Sequence, residues 1–162
     1  MISTEDYLYY VDEALTGMIS LVESLGDELA NQRSDIEGTN TPYVILTHCL
    51  GVMEAWAGHL VAGRTIERDR AAEFAASGSV AELATRARRA RLQLAEDLRD
   101  LDAMAPLRAE PPADVRDKAS GRTQGGALLH LYEELAQHRG QMEGCRDVLL
   151  APWARLAVQP KD

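Results

Sequence analysis

Apolar residues recur along this chain in alternating steps of three and four, the spacing that lines up one face of a helix. The first stripe is Leu8, Val11, Leu15, Met18, Val22, Leu25 and Leu29, and it predicts a helix from about Ser3 to Gln32. The polar segment RSDIEGTNT then interrupts the pattern. Thr41 has the side chain of an N-cap, and Pro42 suits the first helical position, where no N–H is needed. The second helix runs to about Val61 on the stripe Ile45, His48, Val52, Ala55 and His59. A charged connection from Gly63 to Gly78 has room for a short helix in ERDRAAEFAAS. Ser79, with Glu82 three residues on, reads as a capping box. It opens a third helix, to about residue 103, with Leu83, Ala87, Ala90, Leu94, Leu98 and Leu101 on its inner face. The stretch APLRAEPPADVRDKASGRTQGG is too long for a tight turn and is a candidate pocket wall. The fourth helix, from about Ala127 to Leu150, carries Leu128, Leu131, Leu135, His138, Met142, Cys145 and Leu149. Pro152 and Trp153 are expected to pack back onto the helices.

No run of alternating apolar and polar residues is long enough to propose a sheet. Four amphipathic helices in 162 residues predict an all-α chain, a four-helix bundle forming one domain over 1–162. The long link between the second and third helices permits a crossover. The net charge of −9 argues against a nucleic-acid partner. MISTEDYLYYVDEAL has acids where an export signal needs bases, and no apolar run is read as long enough to span a bilayer. Two cysteines do not make a disulfide framework, so a cytoplasmic protein with free thiols is expected.

The candidate chemistry lies on the stripes themselves. Glu134 and His138 stand four apart, so their Cβ atoms are about 5–6 Å apart on one helix face. One carboxylate and one imidazole at that spacing can grip one metal ion. His48, on the second helix, could complete a His/Glu/His site. Three protein ligands with an open fourth position is the pattern of a catalytic zinc. The plainer reading is that His48 and His138 are core histidines hydrogen-bonded to neighbours. His130 is also four residues from Glu134, and His130/Glu134 is geometrically as good a pair. It cannot easily join His138, which is about 12 Å further along the axis; His138, on the apolar stripe, is preferred. His59 is about 16 Å from His48 along its helix, too far to share an ion; it either lines a pocket or merely sits near the helix end, and the second is preferred. Cys145 reads as a small core residue and Cys49 as pointing away from His48. Glu133 is rotated from Glu134 towards solvent or a neighbouring helix. Gln141, one turn past His138, is placed either behind the site or facing a substrate. RTIERDRAAEF reads as solvated surface.

LLHLYEELAQHRGQMEG resembles the terminal helix of the DinB-like metal-binding superfamily, whose members pair a histidine on the second helix with an H-x-x-x-H-R-G-Q element on the last. Here that element runs from Glu134 through His138, Arg139 and Gly140 to Gln141, with Glu134 in place of its first histidine. A His/Glu/His set is similar to the mycothiol-dependent branch, the mycothiol S-transferases and the metal-binding domain of maleylpyruvate isomerase. The segment GRTIERDRAAEFAASGSVAELATRARRARLQL is similar to that branch as well. The resemblance implies an up-down-down-up bundle, often a homodimer, and covers Ser3 to about Leu150.

The function it implies is a detoxification-type transfer of a low-molecular-weight thiol, mycothiol, to a small electrophile. A divalent metal, zinc, would be held by His48, Glu134 and His138. Zinc-bound thiol is deprotonated at neutral pH, which supplies the nucleophile. The catalytic groups beyond the metal are not identified, and neither are the residues that bind the thiol. Small molecules are the expected partners, with no nucleic acid and no membrane. A hydrolase using activated water is the rival enzyme, and it lacks an evident extra carboxylate. A non-enzymatic metal-binding stress or interaction protein is the other rival.

Overall fold

The computed structural model describes residues 2–113 and 115–151. Among them there is no strand, only one isolated bridge between Pro106 and Thr123. Helix α1 spans Thr4–Ala30 under Ser3, whose hydroxyl accepts from the Asp6 N–H. Gly26 breaks it with φ 68°, a left-handed value that glycine adopts without a Cβ penalty. The apolar stripe runs straight through this kink and gave no sign of it. Helix α2 spans Pro42–Met53 and opens as expected, with Thr41 Oγ1 accepting from Val44 N–H at 3.1 Å. It continues without interruption as a π-helical segment, Glu54–Val61. Short α3, Arg70–Phe74, lies within the predicted charged connection and is capped by Asp69.

Helix α4 spans Val80–Asp97 and ends earlier than its stripe suggested. Its start corrects the capping-box expectation. The Ser79 side chain makes no capping bond, and Asp27 of α1 accepts from Val80 N–H at 2.8 Å instead. A cap supplied across the fold has no local sequence signature. Helix α5 is Arg116–Ala119, and α6 spans Gln124–Leu150. Helix α6 starts before Ala127 because Thr123 caps it, its side chain accepting from Gly126 N–H. Pro152 and Trp153 lie outside the described residues.

The four long helices pack with α1 against α4 and α6, and α2 against the same two. Helix α3 covers α2 as well. Every residue of Pro42–Met53 is therefore buried, so α2 is a central helix rather than the amphipathic one expected. Pro42–Val61 is also long and apolar enough to cross a membrane, which the sequence reading had denied of any segment. Its most apolar stretch is 83% buried inside the protein, as a central helix requires. Two polar ties hold α6 to α1. Tyr7 donates to the Leu128 carbonyl at 2.8 Å, and Arg139 Nη1 donates to the Glu13 carbonyl at 3.1 Å. The Arg139 guanidinium passes 2.8 Å from where a Gly17 side chain would begin, so a larger residue there would displace this tie. These ties fix the height of α6, and with it Glu134 and His138.

Leu135, fully buried one turn before His138, should cost about 2–5 kcal/mol when replaced by alanine. Exposed Leu129→Ala on the same helix should change stability by less than about 0.5 kcal/mol. Urea unfolding of the two variants measures both.

Candidate metal centre

Helix α2 is central, so His48 is almost completely enclosed, 4% exposed. A buried imidazole left unpaired is costly, and both of its nitrogens meet partners. His48 Nδ1 lies 2.9 Å from Glu73 Oε2, and His48 Nε2 lies 3.8 Å from Glu134 Oε2. His138 repeats the arrangement from α6. Its Nδ1 lies 2.8 Å from Gln141 Oε1, and its Nε2 lies 3.5 Å from the same Glu134 oxygen. Each ring donates its Nδ1–H outward to an acceptor, a proton placement inferred from these partners. Each Nε2 lone pair then faces Glu134. That orientation, with the rear nitrogen tied to an oxygen acceptor, is how metal-binding histidines are held.

The donor atoms of His48, Glu134 and His138 all lie within 4.8 Å of one another. The distances of 3.5 and 3.8 Å are long for hydrogen bonds. They are close to the edge of a tetrahedron built on bonds of about 2.0–2.2 Å, roughly 3.3–3.6 Å. Two imidazole nitrogens and one carboxylate oxygen are also a donor set that suits zinc and other divalent transition metals. The three residues fit such an ion. His130 is excluded from this point by direction. Its Nε2 approaches the other oxygen, Glu134 Oε1, at 3.3 Å, and its Nδ1 meets Glu133 at 3.1 Å. Lys118 Nζ joins it on Oε1 at 3.2 Å.

Glu73 is the site residue that sequence reasoning missed. RTIERDRAAEF looked like solvated surface, yet Glu73 is buried, and Arg68 clamps it with Nε 2.6 Å from Oε1 and Nη2 2.9 Å from Oε2. A Cβ on Gly51 would lie 2.0 Å from Glu73 Oε1, so this approach depends on Gly51. Burial alone would raise the Glu73 carboxyl, but hydrogen bonds from Arg68 and His48 hold it below its ordinary value. The only earlier signal was the resemblance of the R-D-R-x-x-E-F segment, which assigned Glu73 no role. His138 first, then His48, hold the Glu134 carboxyl far below the usual carboxylate range against its own burial. Glu134 in turn raises His138.

A cleft of ≈ 190 Å³ opens onto this group, lined among others by His48, Trp56, Lys118, His130 and Glu134. Val115 and Lys118 bring the irregular stretch after α4 into its wall, as expected of that stretch. A larger cleft of ≈ 310 Å³, between the π-helical segment and α4, contains none of the three. It holds the Arg64–Asp97 ion pair, at 2.8 Å. His59 is not part of the site. Its nitrogens lie 2.9 Å from the Arg64 carbonyl and 3.2 Å from the Glu110 carbonyl, so it pins two loops at the helix end. Cys49 is fully enclosed, with its thiol pushed up by burial and then by Glu134 and Glu73. Cys145 is partly buried against the core, and burial raises its thiol too.

A family model described as the DinB superfamily matches residues 10–142, a span that takes in His48, Glu134 and His138. No curated protein matches the chain.

Glu134→Ala should lower zinc affinity most, with helicity retained because the apolar stripes are untouched. Glu73→Ala should weaken zinc roughly 10–100-fold by freeing the His48 ring. Gly51→Ala should do nearly the same without touching a donor. Titration calorimetry against a competing chelator reads all three; unchanged affinity in Glu73→Ala would contradict the role given to it. Because Glu134 raises His138 in the metal-free protein, a proton competes with zinc for that ring as pH falls. Affinity should therefore fall as pH drops towards and below the ordinary imidazole value of about 6.5.

Proposed function

The chain belongs to the DinB superfamily, and on that premise we propose that it transfers a low-molecular-weight thiol, mycothiol, to a small electrophile in a zinc-dependent reaction. The observation that carries the reading is the convergence of two imidazole Nε2 atoms on one Glu134 oxygen beside an open cleft. His48, Glu134 and His138 are the ligands in this proposal, with Glu73 and Gln141 fixing the two rings. The ion, when bound, lets a coordinated thiol lose its proton at neutral pH.

The chain's own cysteines do not offer the nucleophile. Cys49 is enclosed with a raised thiol, and Cys145 is raised as well, so the sulfur comes from outside. The cleft receives it beside Glu134, with Trp56 and His130 in its wall, packed edge to face with ring centroids 4.3 Å apart. The sulfur attacks the electrophilic carbon and a C–S bond forms. The leaving group departs with its electron pair or, in an addition, the product takes a proton from solvent. Glu134 in place of the first histidine of the H-x-x-x-H-R-G-Q element supports the mycothiol branch. A hydrolytic reading would need a free base at the cleft. Glu73, the extra buried carboxylate, is occupied by Arg68 and His48.

Zinc-loaded protein should accelerate consumption of mycothiol by a panel of haloalkane, epoxide and enone electrophiles. Chelation should abolish the rate, zinc should restore it, and Glu134→Ala should lack it. Glutathione and bacillithiol serve as comparison thiols. If the loaded protein neither binds mycothiol nor speeds any member of the panel, the thiol-transfer reading fails.

A further inference from the structure

Among the described residues the charges around the cleft do not balance, and the imbalance points to a ligand. The chain carries 26 acidic against 17 basic residues, yet Arg68, Arg70 and Lys118 all line the cleft beside the metal triad. Arg68 is neutralised by Glu73. Lys118 rests on Glu134 Oε1, but Glu134 is also the one carboxylate of the donor set. Its single negative charge cannot satisfy both a divalent ion and an ammonium. Arg70 pairs with no carboxylate among the described residues; its guanidinium lies over the Phe74 ring at 5.5 Å.

A second compartment of ≈ 290 Å³ shares Arg68, Arg70 and Val115 with the first. Its remaining walls include Ala55, Ile66 and Pro112, which offer an apolar body somewhere to lie. We propose that Arg70 and Lys118 form a carboxylate-reading subsite beside the triad, and that its ligand joins a carboxylate to a small apolar body seated in this second compartment. The proposal rests on the thiol-transfer reading only in calling that ligand the second substrate. A carboxylate carried by the thiol would use the same two cations.

The test is calorimetric titration of the zinc-loaded full chain with phenylacetate and with phenylacetamide, which share shape and differ in charge. Phenylacetate should bind roughly tenfold more tightly. That preference should shrink with added salt, disappear in Arg70→Gln, weaken in Lys118→Gln and largely survive in Arg70→Lys. Zinc content and helicity are measured on each variant. Equal binding of the two probes by the native protein overturns the subsite. So does a preference untouched by salt, or one that persists in both Gln variants, since the carboxylate would then be binding the metal alone. No thiol is present, so a failure of thiol transfer leaves this result standing and the converse also holds. Repeating the titration with bound mercaptoacetate, then with mercaptoethanol, shows which partner carries the carboxylate. Blocking by mercaptoacetate alone assigns it to the thiol, and blocking by neither assigns it to the electrophile.

Discussion

A histidine in the middle of a wholly buried helix is the constraint around which this site is arranged. His48 brings two polar nitrogens into the centre of the protein, where an unpaired one would cost on the order of 1–3 kcal/mol. Glu73 answers at Nδ1, and that answer brings its own difficulty, a buried carboxylate. Arg68 neutralises it with two hydrogen bonds, and Gly51 leaves the space it occupies. Each group is explained by the one before it. The short helix α3 and its Asp69 cap bring Glu73 to α2.

A buried ion pair of this kind is weak ground for a stability argument, because desolvation offsets most of the Coulomb attraction. What it does supply is direction. With Nδ1 committed to Glu73, the His48 ring can offer only Nε2 to the interior, and Gln141 imposes the same choice on His138. Two rings on different helices thus present equivalent nitrogens to one oxygen. A pair of core histidines that merely needed satisfying could turn to backbone carbonyls, as His59 does with one carbonyl within reach of each ring nitrogen. Within one chain, His59 and His48 therefore exemplify the two fates of a histidine on an apolar stripe.

The sequence carried the periodic part of this arrangement and little of the tertiary part. The stripes placed all four long helices, and the spacing of Glu134 and His138, with His48 on another stripe, brought together residues that do meet. The preference for His138 over His130 was argued from depth, whereas the structure separates them by which Glu134 oxygen each faces. Spacing does not encode that difference. Glu73 escaped notice because a charged run between helices is ordinarily solvated, and nothing local marks one of its acids as buried. Gly51 looked like any helical glycine, and Asp27 like any surface acid near a helix end. The π-helical turn leaves no mark in an apolar stretch that is buried on all sides.

Glu134 is where local and global requirements meet. An imidazole at this position would give a neutral donor set and leave a divalent ion with its full charge. A carboxylate cancels one of those charges, and in the proposed reaction a coordinated thiolate would cancel the other. The metal, its ligands and the sulfur then sum to zero, which suits a low-dielectric site better than a residual charge. The same carboxylate has a second oxygen, turned towards Lys118 and His130. Whatever charge Lys118 and Arg70 carry into the cleft is therefore left over once the metal and sulfur are accounted for. A neutral electrophile would leave both cations lining the cleft without a bound counter-charge, whereas a carboxylate would supply one. Under the proposed reaction, the replacement of one histidine by glutamate would both accommodate an incoming thiolate and favour an anion in the space beside it.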